Sequence, residues 1–193
     1  MKITTWTSLT LDGVIQGPGS REEDTRGGFD RGGWGHRYHD EVMMKEAGIG
    51  MAEARPILLG RRTYDQFYDF WPKQPADNPF TQALNNAQKY VCSRTLEEPL
   101  PWQNSTLLRG DAVEAVAELK ASGQKDAVVL GSGELLRALI PAGLIDSYTL
   151  LIHPLVLGQG HRLFPEGALA ELRLVSSVPT TTGVIIATYE PAS

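Results

Sequence analysis

The chain of 193 residues is long enough to bury one hydrophobic core and short for two domains. Hydrophobic residues make up 41% and charged residues 21%, and a formal charge of −5 argues against nucleic acid as a partner. No apolar run reaches the roughly 20 residues of a membrane span, and a single cysteine, Cys92, excludes an internal disulfide and a multi-cysteine zinc site. We therefore expect one cytoplasmic domain spanning residues 1–193, with no membrane contact and with Cys92 buried as a small apolar residue.

The N-terminal part begins with a predicted strand and a glycine-rich loop. Lys2 to Leu9 favours a strand, which the turn signal at Asp12 and Gly13 ends. Seven of the nineteen residues from Gly17 to Gly35 are glycine, so this segment is predicted to be a mobile loop that closes over a site. The residues from Tyr38 to Ala54 favour a helix, which the glycines at 48 and 50 weaken.

Strands and helices then alternate through the middle of the chain. The predicted strands share short, apolar runs: Pro56–Leu59, Lys89–Cys92, Ser105–Leu108 and Ala127–Leu130. Apolar residues at helical spacing predict three further helices. One follows residue 60, one covers Asp111–Ala121, and one follows the two glycines at 131 and 133. An apolar run, Ile145–Val156, precedes the C-terminal tail.

The tail favours strands alone. Two interleaved sets of residues suit the two faces of a strand: Leu172, Leu174 and Ser176, and Glu171, Arg173 and Val175. Gly183 to Tyr189 is a second run rich in β-branched residues. The whole pattern predicts an α/β fold in which a mixed, mostly parallel sheet carries helices on both faces and ends in an antiparallel hairpin.

Polar and basic residues follow three of the predicted strands directly. Because ligands gather outside the carboxyl ends of strands in open α/β sheets, these residues are candidates for one site. Guanidinium groups match phosphate oxygens in bidentate geometry, so a ligand with several phosphates fits these residues. The alternatives to a phosphate site are that the arginines are solvated surface residues and that G-S-G only connects a strand to a helix. The three junctions are Gly60, Arg61, Arg62, Thr63; Ser93, Arg94, Thr95; and Gly131, Ser132, Gly133.

Four motifs stand in the order and spacing of the dihydrofolate reductase superfamily: S-L-T-L-D-G-V-I (Ser8–Ile15), L-L-G-R-R-T-Y (Leu58–Tyr64), S-R-T (Ser93–Thr95) and V-L-G-S-G-E-L (Val129–Leu135). A fifth motif, P-L-V-L-G-Q-G-H-R-L-F (Pro154–Phe164), resembles the branch that contains the C-terminal reductase domain of the riboflavin biosynthesis deaminase/reductase. The resemblance covers nearly the whole chain. The deaminase half of that enzyme is missing, since one cysteine cannot form its zinc site.

The resemblance implies an NADPH-dependent reductase with a three-layer α-β-α fold around an eight-stranded sheet, and a homodimer. It implies that Gly60, Arg61, Arg62 and Thr63 hold the cofactor phosphates, that Ser93 and Arg94 contact the 2′-phosphate, and that Ser8 and Ile15 offer backbone groups to the nicotinamide. Residues Gly131, Ser132, Gly133, Glu134 and Leu135 would cradle the pyrophosphate. It also implies a cis peptide bond between Gly131 and Ser132.

The substrate is expected to be a small heterocycle, similar to a pterin or a pyrimidine. Asp40 is the candidate proton donor, and a helix-start acid stabilised by the helix dipole is the alternative. Trp34, Tyr38 and Phe67 are candidates for stacking on the substrate or, alternatively, for the core. His36 and His39 have no third ligand at a suitable spacing, so we expect no metal site. A protein that binds NADPH or another phosphorylated ligand without turnover is the second hypothesis.

Overall fold

The computed structural model describes residues 1–123 and 125–192. Its strands are β1 (Ile3–Thr10), β2 (Ile57–Gly60), β3 (Lys89–Ser93), β4 (Ser105–Arg109), β5 (Ala127–Leu130), β6 (Ser147–His153), β7 (Leu172–Pro179) and β8 (Ile185–Pro191). Its α-helices are α1 (Glu41–Ala52), α2 (Arg61–Phe70), α3 (Pro79–Asn86), α4 (Ala112–Ala121) and α5 (Gly133–Leu139). Short 3-10 helices cover Arg26–Gly28, His36–Tyr38 and Trp71–Lys73. None of the helices in the described residues is long and apolar enough to cross a lipid bilayer.

Within the described residues, the strands form one eight-stranded sheet in the order β4-β3-β2-β5-β1-β6-β8-β7. Strand β2 pairs in parallel with β3 and with β5, and β3 pairs in parallel with β4. Strand β8 runs antiparallel to both β6 and β7. The predicted mixed sheet with an antiparallel C-terminal hairpin is therefore confirmed.

By its internal contacts the chain divides into two compact units that interleave in sequence. The first unit comprises Met1–Thr4 and Glu46–Ile145, and the second comprises Thr5–Lys45 and Asp146–Ser193. Each unit contains at least one buried apolar cluster of its own. The expectation of one domain over residues 1–193 stays a prediction.

The core of the first unit fixes the ends of its parallel strands. Tyr64 of α2 and Trp102 pack against the apolar side chains of β2 and β3. Strand β2 is buried at three consecutive positions, as expected for a strand covered on both faces. The predicted burial of Cys92 on β3 is confirmed. Leu136 and Leu139 of α5 have no exposed surface, which confirms the helical spacing seen after residue 133.

The glycine-rich loop packs into the second unit, where the sequence predicted a mobile cover. Phe29 and Trp34 are buried in a cluster with Val14 and Leu157. The indole N–H of Trp34 donates to the backbone oxygen of Gln16 at 2.8 Å, and Gly33 N–H donates to Gly17 O at 2.7 Å. The two aromatic anchors and these bonds tie the loop down despite its glycine content.

Two helices differ from the sequence prediction. Helix α1 begins at Glu41 rather than near Tyr38, because the Asp40 carboxylate accepts from Met43 N–H at 2.8 Å and caps the first turn. Helix α3 was not predicted at all. Its start carries an ordinary signal, since the Asn78 side chain accepts from Phe80 N–H at 2.9 Å and Pro79 occupies the first helical position.

Candidate functional site

The carboxyl ends of β2 and β5 are joined by reciprocal hydrogen bonds in the first unit. Gly60 N–H donates to Ser132 Oγ at 2.9 Å, and Ser132 N–H donates to Thr63 Oγ1 at 3.0 Å. Because β2 and β5 are parallel neighbours, their ends lie on the same edge of the sheet. The first and third predicted junctions are therefore held next to each other.

Two arginines at the start of α2 extend this network. The guanidinium group of Arg61 donates to Thr95 Oγ1, which brings in the turn after β3. Arg62 Nη1 donates to Glu134 Oε1 at 2.8 Å across to α5. The first predicted junction is thus bonded directly to each of the other two. Both arginine side chains are exposed to solvent.

The turn after β5 reverses the chain without a cis peptide bond. Gly131 has φ of +58°, and Ser132 has φ of +52° with ψ of 49°, so both lie in the left-handed region. The predicted cis bond between them is wrong: in the described residues the cis peptide is Glu98–Pro99. Two successive left-handed residues already turn the backbone into α5, and the contacts of Ser132 with Gly60 and Thr63 hold that geometry.

Several residues predicted to bind the cofactor have side chains that contact other residues of the protein. Ser93 is buried, and its hydroxyl accepts from Thr95 N–H at 3.1 Å and Leu96 N–H at 3.0 Å. The hydroxyl of Ser132 accepts from Gly60 N–H, and the side chain of Leu135 is buried with 5% exposure. These residues shape the turns, and the arginines supply the exposed charge at this edge. Gly133 opens α5, whose first helical hydrogen bond runs from Leu136 N–H to Ser132 O.

Arg94 has a carboxylate partner that the sequence did not indicate. Its Nη2 lies 2.9 Å from Asp111 Oδ2, and the two side chains are 73% and 42% exposed. Arg109, at the end of β4, is a further exposed cation that sequence reasoning missed. It is the register partner of Ser93 on β3, so a fourth strand end adds positive charge to the same edge. Its position directly after the fourth predicted strand was the available signal.

Asp40 belongs to the second unit, where its carboxylate is fully engaged. Oδ2 accepts from both the backbone N–H and the hydroxyl of Thr181 at 2.6 Å, and Oδ1 accepts from Met43 N–H at 2.8 Å. The hydrogen bond from the Thr181 side chain, followed by that from Met43 N–H, lowers the pKa of Asp40 to about 2. An acid that ionises this readily has no proton to give near neutral pH. The contacts therefore favour the alternative reading, a helix-start acid, over a proton donor.

The aromatic substrate candidates fall into both units. In the second unit, the rings of Trp34 and Tyr38 contact the ring of His153 edge-on, at centroid distances of 5.0 Å and 5.3 Å respectively. Trp34 is buried and therefore follows the core alternative, whereas Tyr38 is half-buried. Phe67 packs in the first unit, edge-on to Trp71.

His153 is a buried titratable group that sequence reasoning passed over. Its Nδ1 lies 2.9 Å from Leu151 O, and burial lowers its pKa. Its only sequence signal was a polar residue inside an apolar run.

Ser8 and Ile15 also belong to the second unit. Ser8 is half-buried on β1, and the N–H of Ile15 donates to His161 O at 2.9 Å. Their contact with a nicotinamide stays a prediction. The rings of His36 and His39 lie 5.4 Å apart, and the described residues contain no group of three or more His, Cys, Asp or Glu placed to hold a metal ion.

Residues 1–186 match the RibD C-terminal domain. The chain belongs to the RibD C-terminal domain family. The uncharacterized protein YyaP of Bacillus subtilis (strain 168) is 32% identical to this family member over 140 residues, which are 69% of this chain and 72% of YyaP.

Solved structures share the fold of this RibD C-terminal domain protein. A candidate riboflavin biosynthesis protein from Shewanella sp. PV-4 is 23% identical with a TM-score of 0.73, and the match covers 100% of both chains. Dihydrofolate reductase from Enterococcus faecalis, solved in complex with NADP(H) and RAB-propyl, is 16% identical with a TM-score of 0.62, and the match covers 100% of this chain and 97% of that chain. The predicted dihydrofolate reductase-like fold is confirmed, and the family match confirms the resemblance to the C-terminal domain branch.

Proposed function

We propose that this protein is an NADPH-dependent reductase that transfers hydride to a small heterocycle, pterin-like or pyrimidine-like. The observation that carries the proposal is the connected set of arginines at the strand ends of the first unit. Arg61, Arg62 and Arg94 are exposed at one edge of a parallel sheet, within a network that links three strand-end turns. Membership of the RibD C-terminal domain family and the fold shared with an NADP(H)-bound dihydrofolate reductase support the same reading.

The donor set fits a polyphosphate cofactor. Guanidinium forks pair with phosphate oxygens, and backbone N–H groups at a left-handed turn before a helix attract anions. In this proposal Arg61 and Arg62, with the turn at 131–135, hold the pyrophosphate, and Arg94 pairs with the 2′-phosphate. NADPH, when bound, supplies the hydride for reduction of the substrate.

Arg94 gives the proposal its sharpest test. Arg94→Ala should weaken NADPH binding about tenfold or more and leave NADH binding nearly unchanged, because the lost fork faces a phosphate that NADH lacks. Isothermal titration calorimetry with both cofactors measures this, and Arg173→Ala, in an exposed ion pair with Glu190 in the other unit, controls for loss of one positive charge. Equal weakening of both cofactors, or equal affinities in the unmutated protein, would contradict the assignment of Arg94.

The second candidate function is binding of NADPH, or another phosphorylated ligand, without turnover. The contacts of Asp40 support keeping this alternative, because hydrogen bonds to Met43 and Thr181 suit a helix-start acid better than a proton donor. NADPH consumption at 340 nm against panels of pterins, pyrimidines and quinones separates the two. Binding without consumption across all panels would support the alternative and contradict the reductase.

Location and assembly are further parts of the proposal. We propose a cytoplasmic homodimer whose partners are its cofactor and a small substrate. Light scattering on the purified protein measures the assembly, and a monomer at micromolar concentration would contradict it. Cell fractionation tests the location.

A further inference from the structure

Asp111 divides its two carboxylate oxygens between two tasks. Oδ1 accepts from Val113 N–H at 2.9 Å and Glu114 N–H at 3.3 Å, which caps the first turn of α4. Oδ2 accepts from Arg94 Nη2 at 2.9 Å. The hydrogen bonds from Glu114 N–H and Val113 N–H, with a smaller contribution from Arg94, lower the pKa of Asp111. The carboxylate is therefore a fixed negative charge directly against the arginine that the proposed function pairs with the 2′-phosphate.

A carboxylate in this place affects a phosphate and a hydroxyl in opposite ways. A 2′-phosphate must displace Asp111 from Arg94 and then remain close to a like charge, which weakens its binding. A 2′-hydroxyl carries no charge and is a hydrogen-bond donor, so a neighbouring carboxylate does not repel it. The Arg94–Asp111 pair is exposed, so water screens it and a ligand can open it without first breaking a buried ion pair.

We propose that Asp111 is a specificity-determining residue that competes with the 2′-phosphate for Arg94 and so narrows the preference for NADPH over NADH. The inference rests on the proposed function, since it assigns a role to a residue beside the same cofactor site. Asp111 acts through Arg94, and is thus a positioning residue rather than a catalytic one.

The ion pair between Arg62 and Glu134 provides a matched comparison within the same unit. It is also exposed, with Arg62 Nη1 and Glu134 Oε1 2.8 Å apart. In the proposed function Arg62 faces the pyrophosphate, which NADPH and NADH share. Neutralising Glu134 should therefore change the affinity for both cofactors by the same factor, whereas neutralising Asp111 should change only the affinity for ligands with a 2′-phosphate.

The test is calorimetric binding of 2′,5′-ADP and 5′-AMP, followed by NADPH and NADH, to the full chain. Asp111→Asn keeps the N-cap oxygen and removes the charge, so the helix start is preserved. We expect 2′,5′-ADP and NADPH to bind about three- to tenfold tighter, and 5′-AMP and NADH to stay within about twofold. In the Arg94→Ala background the same substitution should give a smaller gain, because the competition for the arginine is gone and only the repulsion between Asp111 and the phosphate remains. Asp111→Ser, with another good N-cap residue, gives a second route if the asparagine variant folds poorly.

The outcomes separate this inference from the proposed function. The inference is overturned if Asp111→Asn tightens all four ligands alike, if it fails to tighten 2′,5′-ADP, or if the gain is equally large without Arg94. In each case selective loss of NADPH binding in Arg94→Ala leaves the cofactor assignment standing. Glu134→Gln must shift NADPH and NADH together, and a shift confined to NADPH would also overturn it. If the unmutated protein binds neither NADPH nor 2′,5′-ADP, the proposed function fails and this inference fails with it.

Discussion

Lys89 is a charged side chain with no exposed surface at the start of β3. Its ammonium group donates to the backbone oxygens of Leu84, Asn85 and Ala87 at 2.8, 3.3 and 2.7 Å, around the end of α3. It also lies 4.4 Å from the centre of the Trp102 ring. The lysine therefore closes the last turn of α3, while its burial lowers its pKa to about 8.

Because the pKa of Lys89 is lowered, the free energy of unfolding depends on pH in the alkaline range. Between about pH 8 and the ordinary lysine value of 10.5, the unfolded chain binds the proton and the folded chain has released it. The free energy of unfolding therefore rises with pH across this window, by about 1 to 3 kcal/mol from this group. Lys89→Met should remove that rise, whereas Lys73→Met, at an exposed lysine, should not. Urea denaturation at pH 7, 9 and 10.5 measures it, and parallel profiles for both variants would contradict the prediction.

Side-chain roles at single positions were only partly readable from the sequence. Burial of Cys92 followed from its apolar neighbours. Lys89 gave no such signal, because its partners are backbone oxygens of a helix that the sequence pattern did not reveal. The sequence predicts a helix that begins at Asp111, and the capping bonds of Asp111 confirm this start. Its pair with Arg94, however, joins positions 17 residues apart. A sequence pattern shows periodicity, not which exposed charges meet.

At the scale of elements, Asp40 joins the start of α1 to the turn between β7 and β8. The same carboxylate caps the helix through Met43 N–H and binds Thr181 in that turn, all within the second unit. The pKa of Asp40, about 2, lies below the ordinary value of 3.8, so the ionised form stabilises the fold. This contribution is complete above about pH 3.8 and is lost as pH falls towards 2.

Asp40→Asn should therefore flatten the acid limb of the stability profile. Between pH 5 and 2 the unmutated protein should lose more stability than the variant, and Glu41→Gln, at the neighbouring exposed acid, should resemble the unmutated protein. Chemical denaturation across this range, with NADPH oxidation recorded at neutral pH, gives both readouts. Loss of turnover with an unchanged acid limb would instead return Asp40 to the role of proton donor.

Elements built on apolar periodicity were predictable, and those built on turn geometry were not. The spacing of Leu135, Leu136 and Leu139 correctly indicated α5, because one buried helix face repeats every three to four residues. The family resemblance predicts a cis bond in the turn before it, whereas the chain turns there through Gly131 and Ser132, which are both left-handed. The glycine content of residues 17–35 predicts a mobile loop, whereas its two buried aromatic residues, Phe29 and Trp34, determine its packing.

At the scale of the whole chain, motifs far apart in sequence predicted the sheet and the three connected junctions. Parallel β2, β3 and β5 bring residues 60, 93 and 131 to one edge, as their shared position after strands implied. The division into two units was not predictable, because the first unit takes only Met1–Thr4 before the chain leaves it and returns at Glu46. Contacts that span such separations leave no local pattern.

Cofactor binding should raise the thermal stability of the entire chain by mass action. At a concentration of one hundred times Kd, a ligand that binds only the folded state adds about 2.7 kcal/mol, which for a chain of this length corresponds to a rise in Tm of about 5–10 °C. NADPH should produce this rise in the proposed reductase. Differential scanning calorimetry measures it together with the number of unfolding transitions.

Arg62→Ala tests whether this stabilisation passes through the shared phosphates. A tenfold loss of affinity removes about 1.4 kcal/mol at fixed ligand concentration, or about 3–5 °C of the rise. Since the pyrophosphate is common to both cofactors, the loss should be similar for NADPH and NADH, in contrast to Arg94→Ala. Arg173→Ala should retain the full rise, because its partner Glu190 lies in the other unit. If NADPH raises the Tm of Arg62→Ala as much as that of the unmutated protein, Arg62 stabilises the turn through Glu134 on α5 and does not bind the cofactor.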